Sequence, residues 1–140
     1  MDLALRLISA RSRSEGEVRD ALAARGCAAS IVAKVLGRLR ELGYIDDEKF
    51  AAECAERLQE RGYGSLRITD QLRRLAVDER IVERVLPGDA EERSLARQVL
   101  KRRFDERDLE DRRGLARAAR FLAGRGFPAE VIDSLFDVCE

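Results

Sequence analysis

Displaced by fifty positions, the 140-residue chain lays its apolar residues onto one another. Val18, Ile68 and Ala118 coincide, then Leu22, Leu72 and Leu122, then Gly26, Ala76 and Gly126, then Cys27, Val77 and Phe127. The register continues through Ile31, Ile81 and Val131 to the pairs Val35-Leu36, Val85-Leu86 and Leu135-Phe136. A period of this length marks stacked supersecondary units, none of which can bury its apolar face alone. Three tandem repeats are therefore expected, at 1–46, 47–88 and 89–140.

Spacing inside each repeat is helical. Leu5 and Ile8 make one stripe, Val18 and Leu22 a second, and Ile31, Val35, Leu39 and Leu42 a third. Ser14-Glu15-Gly16-Glu17 has the form of a capping box, and Gly26 and Gly43 stand where left-handed helix-ending residues are expected. No stretch alternates with period two, so the fold class is all-α, with three helices per repeat. The helices are expected at about 3–11, 15–25, 29–42, 47–61, 66–75, 79–86, 90–104, 111–125 and 129–138. Asp105 to Asp111, almost entirely carboxylate, is expected to be a flexible joint, with a helix extended by a turn or two as the competing reading.

Composition excludes several functions. The 27 basic and 27 acidic residues balance, which argues against a protein that grips nucleic acid through a large positive excess. Histidine is absent, and with it the usual acid–base catalyst near neutral pH and the commonest metal ligand. Cys27, Cys54 and Cys139 are odd in number and form no CxxC pair, so neither a disulfide framework nor a zinc site is expected. Cys27, aligned with Val77 and Phe127, reads as a small buried hydrophobe. No apolar run approaches a membrane span, and Met1-Asp2-Leu3 does not begin a secretory leader. These features together suggest a cytoplasmic protein that is not an enzyme and holds no metal.

Two motifs invite chemistry. In Gly43-Tyr44-Ile45-Asp46-Asp47-Glu48-Lys49-Phe50 the three carboxylates invite comparison with a magnesium site, but consecutive side chains at a helix start point apart and no further acidic partner is assured. The structural reading is a joint: Asp46 caps a helix, and Ile45 and Phe50 form a hydrophobic staple across its start. Gly62-Tyr63-Gly64-Ser65 precedes a helix, as phosphate loops do, but has neither the preceding strand nor the lysine of such a loop, and it reads as a turn.

The remaining signal is arginine, since only Lys34, Lys49 and Lys101 among the basic residues are lysine. With Ile68, Leu72 and Leu75 inward, Arg67, Gln71 and Arg74 fall on another stripe at a spacing of four then three, with Arg73 beside it. Arg113, Arg117 and Arg120 repeat that spacing in the last repeat, where Lys101-Arg102-Arg103 end the preceding helix, whereas the first repeat offers Glu17 and Asp20. Arg67, Arg73, Arg74, Arg113, Arg117 and Arg120 are thus candidate partner-binding residues, with a solvated, ion-paired face as the bland alternative.

The run from Ala4 through Arg13-Ser14, Arg25-Gly26 and Val35-Leu36 into Gly43-Tyr44-Ile45-Asp46-Asp47 and Phe50-Ala51 resembles the RecX regulators of bacterial recombination. Arg61-Gly62 and Phe121-Leu122-Ala123-Gly124-Arg125-Gly126-Phe127 continue the likeness to the C-terminus. The resemblance implies an elongated, curved array of three-helix repeats. It also implies a non-catalytic inhibitor that lodges on the filament of the RecA recombinase on single-stranded DNA, suppressing ATP hydrolysis, strand exchange and filament growth in DNA repair. Such regulators need no cofactor; a monomer that contacts single-stranded DNA itself only weakly is expected. Ala76 stands where glycine is common in the family, which suggests a slightly different helix ending there. The alternative function is a helix-turn-helix-like regulator that binds DNA without RecA.

Overall fold

The computed structural model describes residues 1–136. Among these the chain forms nine α-helices and no strand: α1 Asp2–Ala10, α2 Glu15–Ala24, α3 Ala29–Glu41, α4 Asp47–Glu60, α5 Ser65–Arg74, α6 Glu79–Val85, α7 Asp89–Arg103, α8 Arg112–Gly124 and α9 Ala129–Phe136. Each lies within a residue or two of its expected bounds, except that the last two residues expected in α9 lie outside the described ones. The all-helical architecture of repeated three-helix domains is as the fifty-residue period requires.

Local chemistry sets the helix ends. The Ser14 hydroxyl accepts from the Glu17 amide at 3.0 Å while the Glu17 carboxylate accepts from the Ser14 amide at 3.1 Å, a complete capping box at the start of α2. Asp111 caps α8 in the simpler way, accepting from the Gly114 amide at 2.7 Å. At the ends of α2, α5 and α8 one hydrogen-bond pattern recurs three times. The Cys27, Val77 and Phe127 amides reach back to the carbonyls of Leu22, Leu72 and Leu122, closing a Schellman turn.

That turn needs a left-handed residue. Gly26 and Gly126 supply it at φ +84° and +90°, and Ala76 supplies it at φ +59°. The different helix ending expected at Ala76 is therefore not what forms. The turn's hydrogen bonds and the burial of Val77 outweigh an αL penalty of about 1–2 kcal/mol.

The chain divides into two compact units. Unit 1 comprises Met1–Cys54 and Gln71–Val85; unit 2 comprises Ala55–Asp70 and the chain from Leu86 onward. α4 and α5 thus contribute residues to both. Unit 1 closes on Ala4, Val18, Leu22, Val32, Leu36, Leu39 and Ile45. Unit 2 closes on Ala96, Val99, Leu100, Ala118, Leu122, Phe127, Val131 and Ile132.

Two expectations about the core change. The buried line of α3 is Val32, Leu36 and Leu39, while Ile31 and Leu42 are 55% and 46% exposed. Val32, Val82 and Ile132, all buried, are the fifty-residue triplet that packs inward. The stripe drawn through Ile31 was one residue off, because Ile31-Val32 offers two apolar neighbours about 100° apart on a helix. Cys27 is half-buried rather than buried, packed at the edge of unit 1.

The acidic stretch from Asp105 to Asp111 is an organised turn containing a single 3₁₀ turn at Arg107–Leu109. Asp105 accepts from the Asp108 amide and Asp108 from the Asp105 amide, each at 2.9 Å, so the carboxylates expected to keep the segment loose are what shape it.

The fifty-residue period also appears in how the repeats dock. In unit 1 the Ser14 hydroxyl donates to the Leu75 carbonyl, and Gly16 lies against Ala76 where a Cβ would collide. In unit 2 the Gly64 amide donates to the Arg125 carbonyl at 2.8 Å and the Leu66 amide to the Gly126 carbonyl at 2.9 Å. Ser14, Gly16, Leu75 and Ala76 become Gly64, Leu66, Arg125 and Gly126 on adding fifty. The start of one repeat's second helix sits on the Schellman turn of the next, twice in the chain.

Candidate binding interface

The carboxylates of the Gly43–Phe50 segment each have an ordinary structural partner. Asp46 caps α4 by accepting from the Lys49 amide at 3.1 Å. Asp47 turns back to accept from the Glu15 amide at 2.8 Å, so it caps α2. Glu48 pairs with Arg84 at 2.5 Å. Among the described residues no acidic or cysteine cluster could hold a metal ion, so the magnesium reading has no geometry behind it. Ile45 and Phe50 are both buried, as the joint reading requires. Burial pushes the Asp47 carboxyl above its ordinary range; Glu15 and Asp46 add to this, while the Glu15 amide and Arg19 oppose it.

The Gly62–Ser65 turn is likewise closed to a phosphate. Its amides point at protein acceptors: Gly64 at the Arg125 carbonyl, and Ser65 at the buried Glu92 carboxylate at 2.6 Å. A loop whose N–H groups are already engaged cannot cradle an anion.

All six candidate arginines are exposed. Arg73 and Arg74 belong to unit 1, and Arg67, Arg113, Arg117 and Arg120 to unit 2. Arg73 grips Glu79 with two hydrogen bonds, at 2.5 and 3.3 Å, which hold the Glu79 carboxyl below its ordinary range. Arg113, Arg117 and Arg120 share the face of α8 away from buried Gly114, Ala118 and Leu122. Arg67 sits over the Tyr63 ring, its guanidinium carbon 4.8 Å from the centroid.

The two units treat arginine differently. In unit 1, Arg11, Arg38, Arg40, Arg73 and Arg84 each meet a carboxylate, at 2.5 to 3.4 Å. In unit 2, arginines gather on rings. Arg61, Arg67 and Arg125 lie 5.7, 4.8 and 4.6 Å from the Tyr63 centroid. Arg103 and Arg125 lie 5.5 and 5.4 Å from the Phe121 centroid, and Phe104 meets Phe121 edge-on at 5.8 Å.

Sequence reasoning notes Arg103 at a helix end but passes over Arg61, Tyr63, Phe121 and Arg125 as members of such a surface. The available signal was helical spacing: Arg125 follows Phe121 by four residues, and Arg67 follows Tyr63 by four. What no spacing reveals is that Arg125 reaches both rings.

Comparison with known proteins matches this chain to one family along its length. Residues 1–39 fit the family description "RecX, first three-helix domain" and residues 90–136 fit "RecX, third three-helix domain". The regulatory protein RecX of Halorhodospira halophila is 39% identical over 133 residues, covering 94% of this chain and 82% of that protein. A counterpart from Thermus thermophilus is 42% identical over 128 residues, covering 91% and 83%. Among solved structures, RecX from Lactobacillus salivarius superposes with a TM-score of 0.83 at 19% identity, covering 97% of this chain and 91% of that one.

Proposed function

The chain belongs to the RecX family of regulatory proteins, and from that premise we propose that it is a non-catalytic inhibitor of the RecA filament on single-stranded DNA. It binds the assembled filament and suppresses ATP hydrolysis, strand exchange and further growth during recombinational repair. The observation that carries this reading is the identity with proteins named as RecX regulators over more than nine-tenths of the chain.

The chemistry agrees with a protein partner. A molecule with 27 charges of each sign has no net positive charge with which to hold DNA at long range, so its charges set register and orientation more than affinity. The arginines on α5 and α8 are the contact residues of this reading: Arg67, Arg73, Arg74, Arg113, Arg117 and Arg120. Arginine suits the role, because its planar fork matches carboxylate and phosphate alike.

No observation favours a helix-turn-helix reader of duplex DNA. On the third helices of the first two repeats, Arg38, Arg40 and Arg84 are each engaged by a carboxylate. The described residues contain no helix long and apolar enough to cross a membrane.

The experiment is charge reversal, Arg67→Glu with Arg74→Glu, in the intact chain. Binding to RecA filaments should weaken at least tenfold while the helical circular-dichroism signal is unchanged. Wild-type binding by the folded double variant would remove this surface from the interface.

A further inference from the structure

We propose that the turn from Asp105 to Asp111 is a built-in stop: it covers the start of α8, which would otherwise seat on the Gly26 turn of a second copy of this chain and begin a head-to-tail assembly. This goes beyond the filament reading and does not rest on it.

The contact being stopped is one the chain already makes twice. At each joint a helix start bonds the carbonyl of the residue before the left-handed one: Ser14 bonds Leu75, and Gly64 bonds Arg125 at 2.8 Å. Each joint also has a glycine on one side. Gly16 lies against Ala76, whereas a Cβ on the left-handed Gly126 would lie 2.7 Å from the Arg67 amide nitrogen. Adding fifty to Gly64 and Leu66 gives Gly114 and Ala116. The Schellman turn left over for them is that of Arg25 and Gly26, with Gly26 at φ +84° and the Cys27 amide on the Leu22 carbonyl at 3.2 Å. Arg25 and Gly26 are exposed, and their carbonyls accept no hydrogen bond among the described residues. No described atom lies within 4 Å of a Cβ placed on Gly26. Ala116 against Gly26 again keeps one glycine at the joint. A repeat interface left open at both ends of an array is heterologous, so it adds copies without closing.

The start of α8 is not open. α8 begins at Arg112, where the register of Glu15 and Ser65 calls for Leu115, and the 3₁₀ turn at Arg107–Leu109 packs on it. Asp111 accepts from the Gly114 amide at 2.7 Å, occupying the donor that Gly64 gives to the neighbouring repeat. The Asp108 carbonyl oxygen lies 1.6 Å from where a Gly114 Cβ would stand, so main chain fills the space that a Schellman turn needs. The reciprocal bonds between Asp105 and Asp108 hold that main chain in place.

Charge acts in the same direction. The repeat register pairs Arg13 with Leu75 and Tyr63 with Arg125, and the Arg125 guanidinium lies 4.6 Å from the Tyr63 centroid. The pair that a second copy would bring together is Arg113 with Arg25, two cations, which disfavours the contact.

The test is sedimentation velocity of the full chain, from low to high micromolar concentration, with no other protein present. Wild type should sediment as a monomer throughout. Asp105→Gly, Asp108→Gly and Asp111→Gly combined with Arg113→Tyr frees the α8 start and restores the tyrosine of the Gly64 joint. The mean mass of this variant should rise with concentration to more than about twice that of wild type, because the contact does not close on itself. Adding Gly26→Asn, a residue that tolerates the left-handed region but sets a Cβ against Ala116, should return the variant to a monomer. Circular dichroism reports whether each protein is folded. If the glycine variant does not fold, Asp111→Ala with Arg113→Tyr, which releases only the Gly114 amide, should show a smaller rise in mass that Gly26→Asn again removes. The proposal is overturned if the folded variants stay monomeric, if Gly26→Asn leaves their association unchanged, or if wild type itself assembles through Gly26. With no recombinase in the assay, such a result discards the stop alone and leaves the filament reading to its own experiment.

Discussion

The buried carboxylate of Glu92 takes both donors of Ser65, the amide at 2.6 Å and the hydroxyl at 2.9 Å, and so closes the start of α5 from the first turn of α7. Asp47 does the equivalent for α2, accepting from the Glu15 amide. In both cases a carboxylate from the next repeat's first helix satisfies amides that an isolated helix leaves bare.

Removing that carboxylate leaves a buried amide and hydroxyl without an acceptor. Glu92→Ala should therefore lower unfolding stability by about 2–3 kcal/mol. Glu92→Gln, which keeps one acceptor oxygen, should lose less. Urea unfolding of the two variants checks the order, and a loss below about 0.5 kcal/mol in Glu92→Ala would show that water replaces the cap without cost.

The repeat joints make opposite predictions for two small residues in contact. Gly16 has no room for a methyl group against Ala76, so Gly16→Ala should destabilise by about 1–3 kcal/mol through forced displacement. Ala76 sits at φ +59°, where glycine carries no steric penalty, so Ala76→Gly should stabilise by about 1 kcal/mol. Thermal melts of the pair decide it. Equal signs for both changes would mean that the joint adjusts freely.

Asp47 should leave a mark on the pH dependence of stability. Its carboxyl titrates above the ordinary range when folded, chiefly from burial, so between the unfolded and folded pKa the native state binds more protons. Its contribution is fully present below the unfolded value and is lost as pH rises through the folded one. Glu79, lowered by Arg73, acts in the reverse sense: its contribution is present above the unfolded pKa and is lost as pH falls through the folded one. Asp47→Asn, whose amide oxygen still accepts from Glu15, should flatten the Asp47 component and cost little at neutral pH. Unfolding free energies of wild type and variant across the acid range test this. An unchanged pH profile in the variant would assign the dependence elsewhere.

Much of the fold was legible because its determinants are local. The capping box at Ser14 and Glu17, the glycine at position 26 and the spacing of Val18 and Leu22 act within a few residues, and a threefold repetition made each easier to read. Ile31 was misread because it has an equally apolar neighbour in Val32, and only packing within unit 1 selects between them. Asp105 and Asp108 were misread because composition alone takes carboxylates for repelling charges, whereas each accepts an amide from the other's residue. The candidate interface was less legible. Arg67 and Arg117 stood out by spacing, but Arg125 became visible only when the fold brought Tyr63 beside a residue more than sixty positions away.

The most direct test is the rate of ATP hydrolysis by a RecA filament on single-stranded DNA while this protein is titrated in. A non-catalytic filament inhibitor lowers that rate progressively, at concentrations below that of the recombinase, and hydrolyses no ATP itself. A rate that stays constant up to equimolar protein, with RecA from the same organism, would contradict the proposed function and leave the three-repeat fold without an assigned target.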